Sequence, residues 1–172
     1  MLVEGNAGNG IVLQRARANL ARVTIGATTS RAGETRPQNG VALAVLDSSG
    51  ARVTGSTLRS DNYGTTYALV LDNGSRMPLL GTSTFATNYH LSVGTGSGVD
   101  SIVGNTFTSS DETWCRNYAT SMSSTRVGQT SLVVAGNVFD VRRGALSLSA
   151  GDGVALAFVN NTVRAGGTGC GG

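Results

Sequence analysis

The chain has 172 residues, of which 40% are hydrophobic and 13% charged, with a formal net charge of +3. That is enough apolar material for a single domain with a real core, and too much for a disordered chain. No apolar run approaches the length of a membrane-spanning helix, and the opening MLVEGNAGNG has neither the basic nor the apolar region of an export signal.

Every cationic side chain is an arginine, 13 in all, and there is no lysine. Codon bias in a GC-rich genome accounts for this; the chemical alternative is bidentate recognition of carboxylate or phosphate. The arginines are scattered apart from the pair Arg142–Arg143, so nucleic acid is not an expected partner. Twenty-five glycines against two prolines favour tight turns over helices.

In chain order, the predicted strands come in two alternating kinds. The first kind is IVL at 11–13, VALAVL at 41–46, YALVL at 67–71, HLSV at 90–93, YATSM at 118–122 and ALSL at 145–148. Each is short and β-prone and is followed by a polar turn, such as DSSG, DNGS, GTGSG, TRVGQ or SAGDG. IVLQRARANLAR at 11–22 also reads as an amphipathic helix that would cap the domain. The second kind is one phrase repeated: VTIGAT at 23–28, VTGSTL at 53–58, LGTSTF at 80–85, IVGNTF at 102–107, VAGNVF at 134–139 and FVNNTV at 158–163. The copies end on Thr28, Leu58, Phe85, Phe107, Phe139 and Val163, spaced by 22 to 32 residues with a mean of 27.

A loose period of this size, two short strands long and without a helix, predicts units that stack on one another. One unit cannot bury its apolar positions alone. Stacking would place Leu58, Phe85, Phe107, Phe139 and Val163 in an inner column, and Asn105, Asn137 and Asn161 in a bonded column at the bend. Six rungs spaced by about 4.8 Å give a rod of roughly 29 Å. A β-sandwich also suits many short strands with glycine-rich turns, but the fixed place of the Asn-x-apolar ending favours the stacked rod. With its G-N-x-F rungs over about 11–165, the chain resembles the right-handed parallel β-helix superfamily of pectate lyases, phage tailspikes and bacterial surface proteins. The resemblance implies an all-β fold, a right-handed parallel β-helix (solenoid) of about six rungs. It implies a single domain over 1–172, with a glycine-rich tail at 166–172, and leaves room for a fragment of a longer rod. It also implies trimerisation as a way of hiding open strand edges.

The segments after the second strands gather the rare side chains: RSDNYGTTY at 59–67, ATNYH at 86–90, TSSDETWCRNY at 108–118 and DVRRG at 140–144. Tyr63, Tyr67, Tyr89 and Tyr118, the single Trp114 and the single His90 all lie there. Aromatic faces beside acids, amides, Arg116 and Arg143 suit sugar rings, which stack an apolar face and hydrogen-bond their hydroxyls. Equally, the tyrosines cover the rod beneath their loops. A glycosidase needs two carboxylates about 5–5.5 Å apart if retaining and about 6.5–9.5 Å if inverting; Asp111 or Glu112 against Asp140 are the candidates. A lyase needs a base and a cation, for which His90 or a tyrosine with Arg116, Arg142 or Arg143 would serve. His90 is as well explained as a packing residue, and the chain lacks the G-H-G, D-D, D-P-H and R-x-P-x-x-R strings of pectinolytic and epimerase β-helices.

No metal or cofactor is expected. One histidine and two distant cysteines do not make a zinc site, Asp72-Asn73-Gly74 is first a turn, and no helix follows GTGSG. Thr57, Thr84, Thr106 and Thr162 share an outward place that suggests an ice-binding face, but Val138 interrupts the column. Cys115 and Cys170 leave the rod at one corner, two rungs or about 9.6 Å apart, whereas a disulfide needs Cα atoms within about 7 Å. The 32-residue unit around Cys115 gives its loop the slack to close that gap. A Cys115–Cys170 disulfide is therefore expected, and with it an exported protein; two buried thiols are the alternative. The functional expectation is a secreted or cell-surface module for binding a polysaccharide or cell-surface glycan, for adhesion or for scaffolding. A polysaccharide lyase or glycoside hydrolase acting through the loop flank is the second reading.

Overall fold

The computed structural model describes residues 1–3, 10–26, 41–47, 50–59, 67–87, 89–108, 120–124, 127–141 and 146–165. Within them the fold is all strand, and every strand pair is parallel. Six successive units each send one strand into each of three walls.

The first wall contains Ile11–Gln14, Val41–Leu46, Tyr67–Asp72 and Tyr89–Val93 in one sheet, then Thr120–Ser124 and Leu146–Ala150 as a separate pair. The second wall is a six-stranded sheet of Asn19–Ala21, Arg52–Thr54, Leu79–Gly81, Ser101–Val103, Ser131–Ala135 and Ala155–Val159. The third is a seven-stranded sheet, in which Leu2–Val3 precedes Thr24–Ile25, Thr57–Arg59, Thr84–Ala86, Thr106–Thr108, Val138–Val141 and Thr162–Ala165. A small extra pair, Arg76–Met77 with Gly98–Val99, bridges the third and fourth units.

Residues 11–22 therefore form strands Ile11–Gln14 and Asn19–Ala21 and not a capping helix. Pairing decides this: Ile11, Leu13 and Leu20 stand in register with Leu43, Val45 and Val53 of the next unit, all fully buried. Isolated propensity is too weak to outweigh such contacts.

The repeated phrase proves to be a corner between two walls. Ile102 lies in one strand, Ser101–Val103, and Phe107 in the next, with Gly104 between them at φ 66°. The same left-handed conformation recurs at the equivalent place in all six units, Arg22 at 55°, Gly55 at 55°, Thr82 at 47°, Gly136 at 62° and Asn160 at 53°, so the first copy of the phrase is LARVTI at 20–25 and not VTIGAT at 23–28. A unit thus has three strands where the sequence alone suggests two. Glycine adopts this conformation freely, but a β-branched residue does so only under constraint. Thr82 is held there while its Oγ1 accepts the N–H of Gly55 in the preceding unit at 3.1 Å.

Across the third wall, Val3, Ile25, Leu58, Phe85, Phe107, Phe139 and Val163 are successive register partners. This is the inner column anticipated from the phrase. Phe85 and Phe107 stack with centroids 4.9 Å apart and 15° between planes, and Phe107 and Phe139 at 4.9 Å and 5°. Val53, Leu80, Ile102 and Val134 make a second column, and Leu43, Leu69 and Leu91 a third. Parallel strands buried in this way depend on such columns for most of their stability.

Candidate functional site

At the corner, buried polar side chains connect one unit to the next. Asn105 and Asn137 are almost fully buried, so their amides must be bonded within the protein. Asn137 Oδ1 accepts the backbone N–H of Asn105 at 2.9 Å and its side-chain Nδ2–H at 3.0 Å; Asn161 Oδ1 accepts both groups of Asn137 at 2.9 Å. The Nδ2 groups also donate backward, Asn105 to Leu80 O at 2.9 Å, Asn137 to Ile102 O at 2.9 Å and Asn161 to Val134 O at 2.8 Å. The asparagine column expected from the sequence is present.

It also extends further than expected. Ser83 N–H donates to Asn105 Oδ1 at 3.0 Å, Ser56 N–H to Ser83 Oγ at 3.1 Å, and Val23 N–H to Ser56 Oγ at 3.2 Å. The signal for Ser56 and Ser83 was visible in the sequence, since each holds the asparagine position of its copy of the phrase. At the preceding turn, Ser75 N–H donates to Ser97 Oγ at 3.0 Å, and Gln129 Nε2 donates to Val99 O at 3.0 Å. These polar groups are committed to holding units together.

His90 takes the packing place that the sequence reading gave as its alternative. It lies within the strand Tyr89–Val93 and only 1% of it is exposed. Its Nε2–H donates to Thr108 O at 2.9 Å, and its ring meets Phe107 edge-on at 5.6 Å. Burial lowers its pKa from 6.5 to about 4, against the smaller opposing effect of the Thr108 bond. At neutral pH it is an uncharged core ring with its donor in use.

Tyr67 is half-buried, and its backbone is in register with Val41 and Tyr89, one unit away on either side. Tyr89 is described by its backbone alone. Asp140 lies on the third wall between Thr108 and Arg164, its register partners, a placement that sets opposite charges side by side. Tyr63, Asp111, Glu112, Trp114, Cys115, Arg116, Tyr118, Arg142, Arg143 and Cys170 lie outside the described residues. So do the proposed carboxylate pairs and the proposed disulfide.

The outward threonines do align. Thr24, Thr57, Thr84, Thr106, Val138 and Thr162 form one register column, half-buried except at its end. The parallel column two residues on holds Arg59, Ala86, Thr108, Asp140 and Arg164, so the threonines do not form a uniform face. Asp72-Asn73-Gly74 is a turn, closed by Ser75 N–H donating to Asp72 O at 3.3 Å, with Asp72 Oδ1 also accepting Asn73 N–H at 2.8 Å and with Asn73 at φ 56° and Gly74 at φ 73°. A Cβ on Gly94 would collide with the Asp72 carboxylate. Among the described residues there is no cluster of three or more histidines, cysteines or acids suited to a metal. No helix there is long and apolar enough to cross a membrane, which says nothing of strands.

No family model, no curated protein and no solved structure matches the chain.

Proposed function

We propose that the chain is a right-handed parallel β-helix module of six rungs whose role is to bind or to scaffold. The observation that carries this is the commitment of its buried polar groups: from Val23 to Asn161 the corner groups bond successive units, and the one histidine packs in the core. Right-handedness follows from the strong preference of parallel crossover connections for that hand. The module is read as secreted or displayed on a cell surface, with Cys115 and Cys170 joined as a disulfide. Its ligand is a polysaccharide or cell-surface glycan. Tyr67 and Tyr89, one unit apart, would begin an aromatic edge continued by Tyr63, Trp114, Tyr118, Arg116 and Arg143. Side-by-side association of three copies would bury the apolar part of the outer face of the second wall, formed by Leu79, Val103, Val133, Ala135, Ala157 and Val159, with Arg52 at its margin.

Incubation with a panel of neutral and acidic polysaccharides tests the reading. Retained binding without new unsaturated or reducing ends is the expected result. Turnover, abolished by replacing Asp140 together with Asp111 or Glu112, would instead identify a lyase or hydrolase. Sedimentation analysis separates a trimer from a monomer.

A further inference from the structure

Arginines that stand far apart in sequence are gathered by the turn of the stack. Asn19 is the register partner of Arg52, and Ala21 of Thr54. Arg17 therefore falls opposite Gly50, two residues before Arg52, and Arg22 opposite Gly55, three residues after it. Glycine at both places leaves room for an arginine stem. A Cβ at Gly50 would stand 3.7 Å from Arg17 Cγ, and one at Gly55 would stand 3.6 Å from Arg22 Cγ. Arg17 and Arg22 thus lie over the two ends of the segment 50–55. Arg52 points outward between them, flanked by the fully buried Ala51 and Val53. All three arginines are exposed. With strands about 4.8 Å apart and residues rising by about 3.3 Å, Arg52 lies within about 11 Å of both, Cα to Cα.

Neighbouring arginines show what such a group takes here. Arg76 gives two N–H bonds to Asp100 Oδ2, and Arg15 faces Asp47 at 3.9 Å. Among the described residues no carboxylate pairs with Arg17, Arg22 or Arg52. Three guanidinium groups this close raise the local positive potential. They favour an oxyanion, carboxylate or sulfate, which the planar fork can bind through two parallel bonds. Asn19 and Thr54 stand on the same outer face, an amide and a hydroxyl suited to sugar hydroxyls. Nucleic acid fits less well. Its bases stack on aromatic side chains, and the outer positions 17, 19, 21, 52 and 54 hold none.

We infer that Arg17, Arg22 and Arg52 form a binding surface for an anionic polysaccharide, one that carries carboxylate or sulfate groups. The inference rests on the glycan reading and names the charge of the ligand. The contact lies on the side of the stack, on the second wall, apart from the aromatic edge that begins at Tyr67 and Tyr89 on the first. The apolar part of the same wall, from Leu79 onward, stays available for association of copies.

Fluorescein-labelled dextran, carboxymethyl dextran and dextran sulfate share one glucan backbone and differ in charge. Titrated with the full-length chain, the two charged polymers should bind saturably and the neutral one should not. Binding should weaken as salt rises, and the tighter of the charged pair identifies the anion. Arg17→Gln, Arg22→Asn and Arg52→Gln should each weaken binding up to about five-fold, and together about a hundred-fold. Asparagine is chosen at position 22 because Asn160 holds the same left-handed corner, and circular dichroism confirms that each variant folds. Arg164→Gln, on the third wall, should bind as the unaltered chain does. Equal binding by the unaltered chain and the triple variant overturns the inference. So does an equal loss with Arg164→Gln, or a labelled DNA duplex that binds more tightly than either charged dextran. If only neutral polysaccharides bind, this inference fails and the glycan reading stands; if no polysaccharide binds, both fail.

Discussion

The leading and trailing halves of the stack use different residues at the same two positions. In the first two units the third-wall column is Ile25 and Leu58; in the next three it is Phe85, Phe107 and Phe139, with rings face to face. At the corner, Ser56 and Ser83 give way to Asn105, Asn137 and Asn161. The serine hydroxyl is short. It accepts one N–H from the preceding unit but donates within its own, Ser56 to Thr54 O at 2.9 Å and Ser83 to Gly81 O at 2.8 Å. The asparagine amide is longer and both accepts from and donates to the preceding unit. Trailing boundaries are therefore tied in both directions and packed by aromatic stacking, which adds about 0.5–1.5 kcal/mol per pair beyond burial. At leading boundaries the corner serine makes one bond to the preceding unit, and the column there begins with aliphatic packing.

The largest test of this contrast is truncation of the columns. Phe107→Ala is expected to cost about 4 kcal/mol, since it removes a buried ring and two stacking partners, and Leu58→Ala about 1 kcal/mol less. Urea unfolding of both variants checks it, and equal losses would erase the contrast. Next comes the histidine packed against Phe107. Its folded pKa of about 4 lies below the unfolded 6.5, so the unfolded chain binds more protons between those values. Stability should fall by about 3 kcal/mol as pH drops from 6.5 to 4, and stay level above 6.5. His90→Phe should remove that slope; a melting curve at each pH measures it, and an unchanged slope would mean another group titrates.

Asn137→Ala is expected to cost about 2–3 kcal/mol, because it strands the N–H of Asn105 and the carbonyl of Ile102. Ser83→Ala strands only the N–H of Ser56 and should cost about 1 kcal/mol. Amide exchange at Asn105 and Ser56 reports each break where it occurs. The smallest effect belongs to the half-exposed Arg76, whose Nε and Nη2 both donate to Asp100 Oδ2, at 2.8 and 2.6 Å. Arg76→Ala should cost under about 1 kcal/mol, and less in high salt.

The phrase made the third-wall column and the asparagines legible, because each unit must meet the same packing and bonding demands at that place. The bend at the asparagines is legible too, but neither its left-handed residue nor the separate strand ahead of it is. The left-handed position is filled by Arg22, Thr82 and Asn160 as well as by glycines, so residue type alone does not mark it. Ser56 and Ser83 escaped notice because a hydroxyl and an amide look unalike in sequence though either can accept the same N–H. His90 stands in sequence where the loop ATNYH meets the strand HLSV, and what selects packing there is Phe107 and Thr108, one unit later. The loop residues that carry the glycan reading were selected by composition, and only Tyr67, Asp140 and the backbone of Tyr89 fall among the described residues.

The direction of the corner ladder also governs how such a chain can change length. Excising residues 106–137 would join Asn105 to Val138, leaving an asparagine to accept from Ser83 and an N–H to donate to Asn161. A deletion of one whole period therefore keeps every bond of the ladder in kind, while a deletion of any other length puts the wrong residue at the corner. Gain and loss of entire units is thus the least costly route by which this architecture can be lengthened or shortened, in nature or by design.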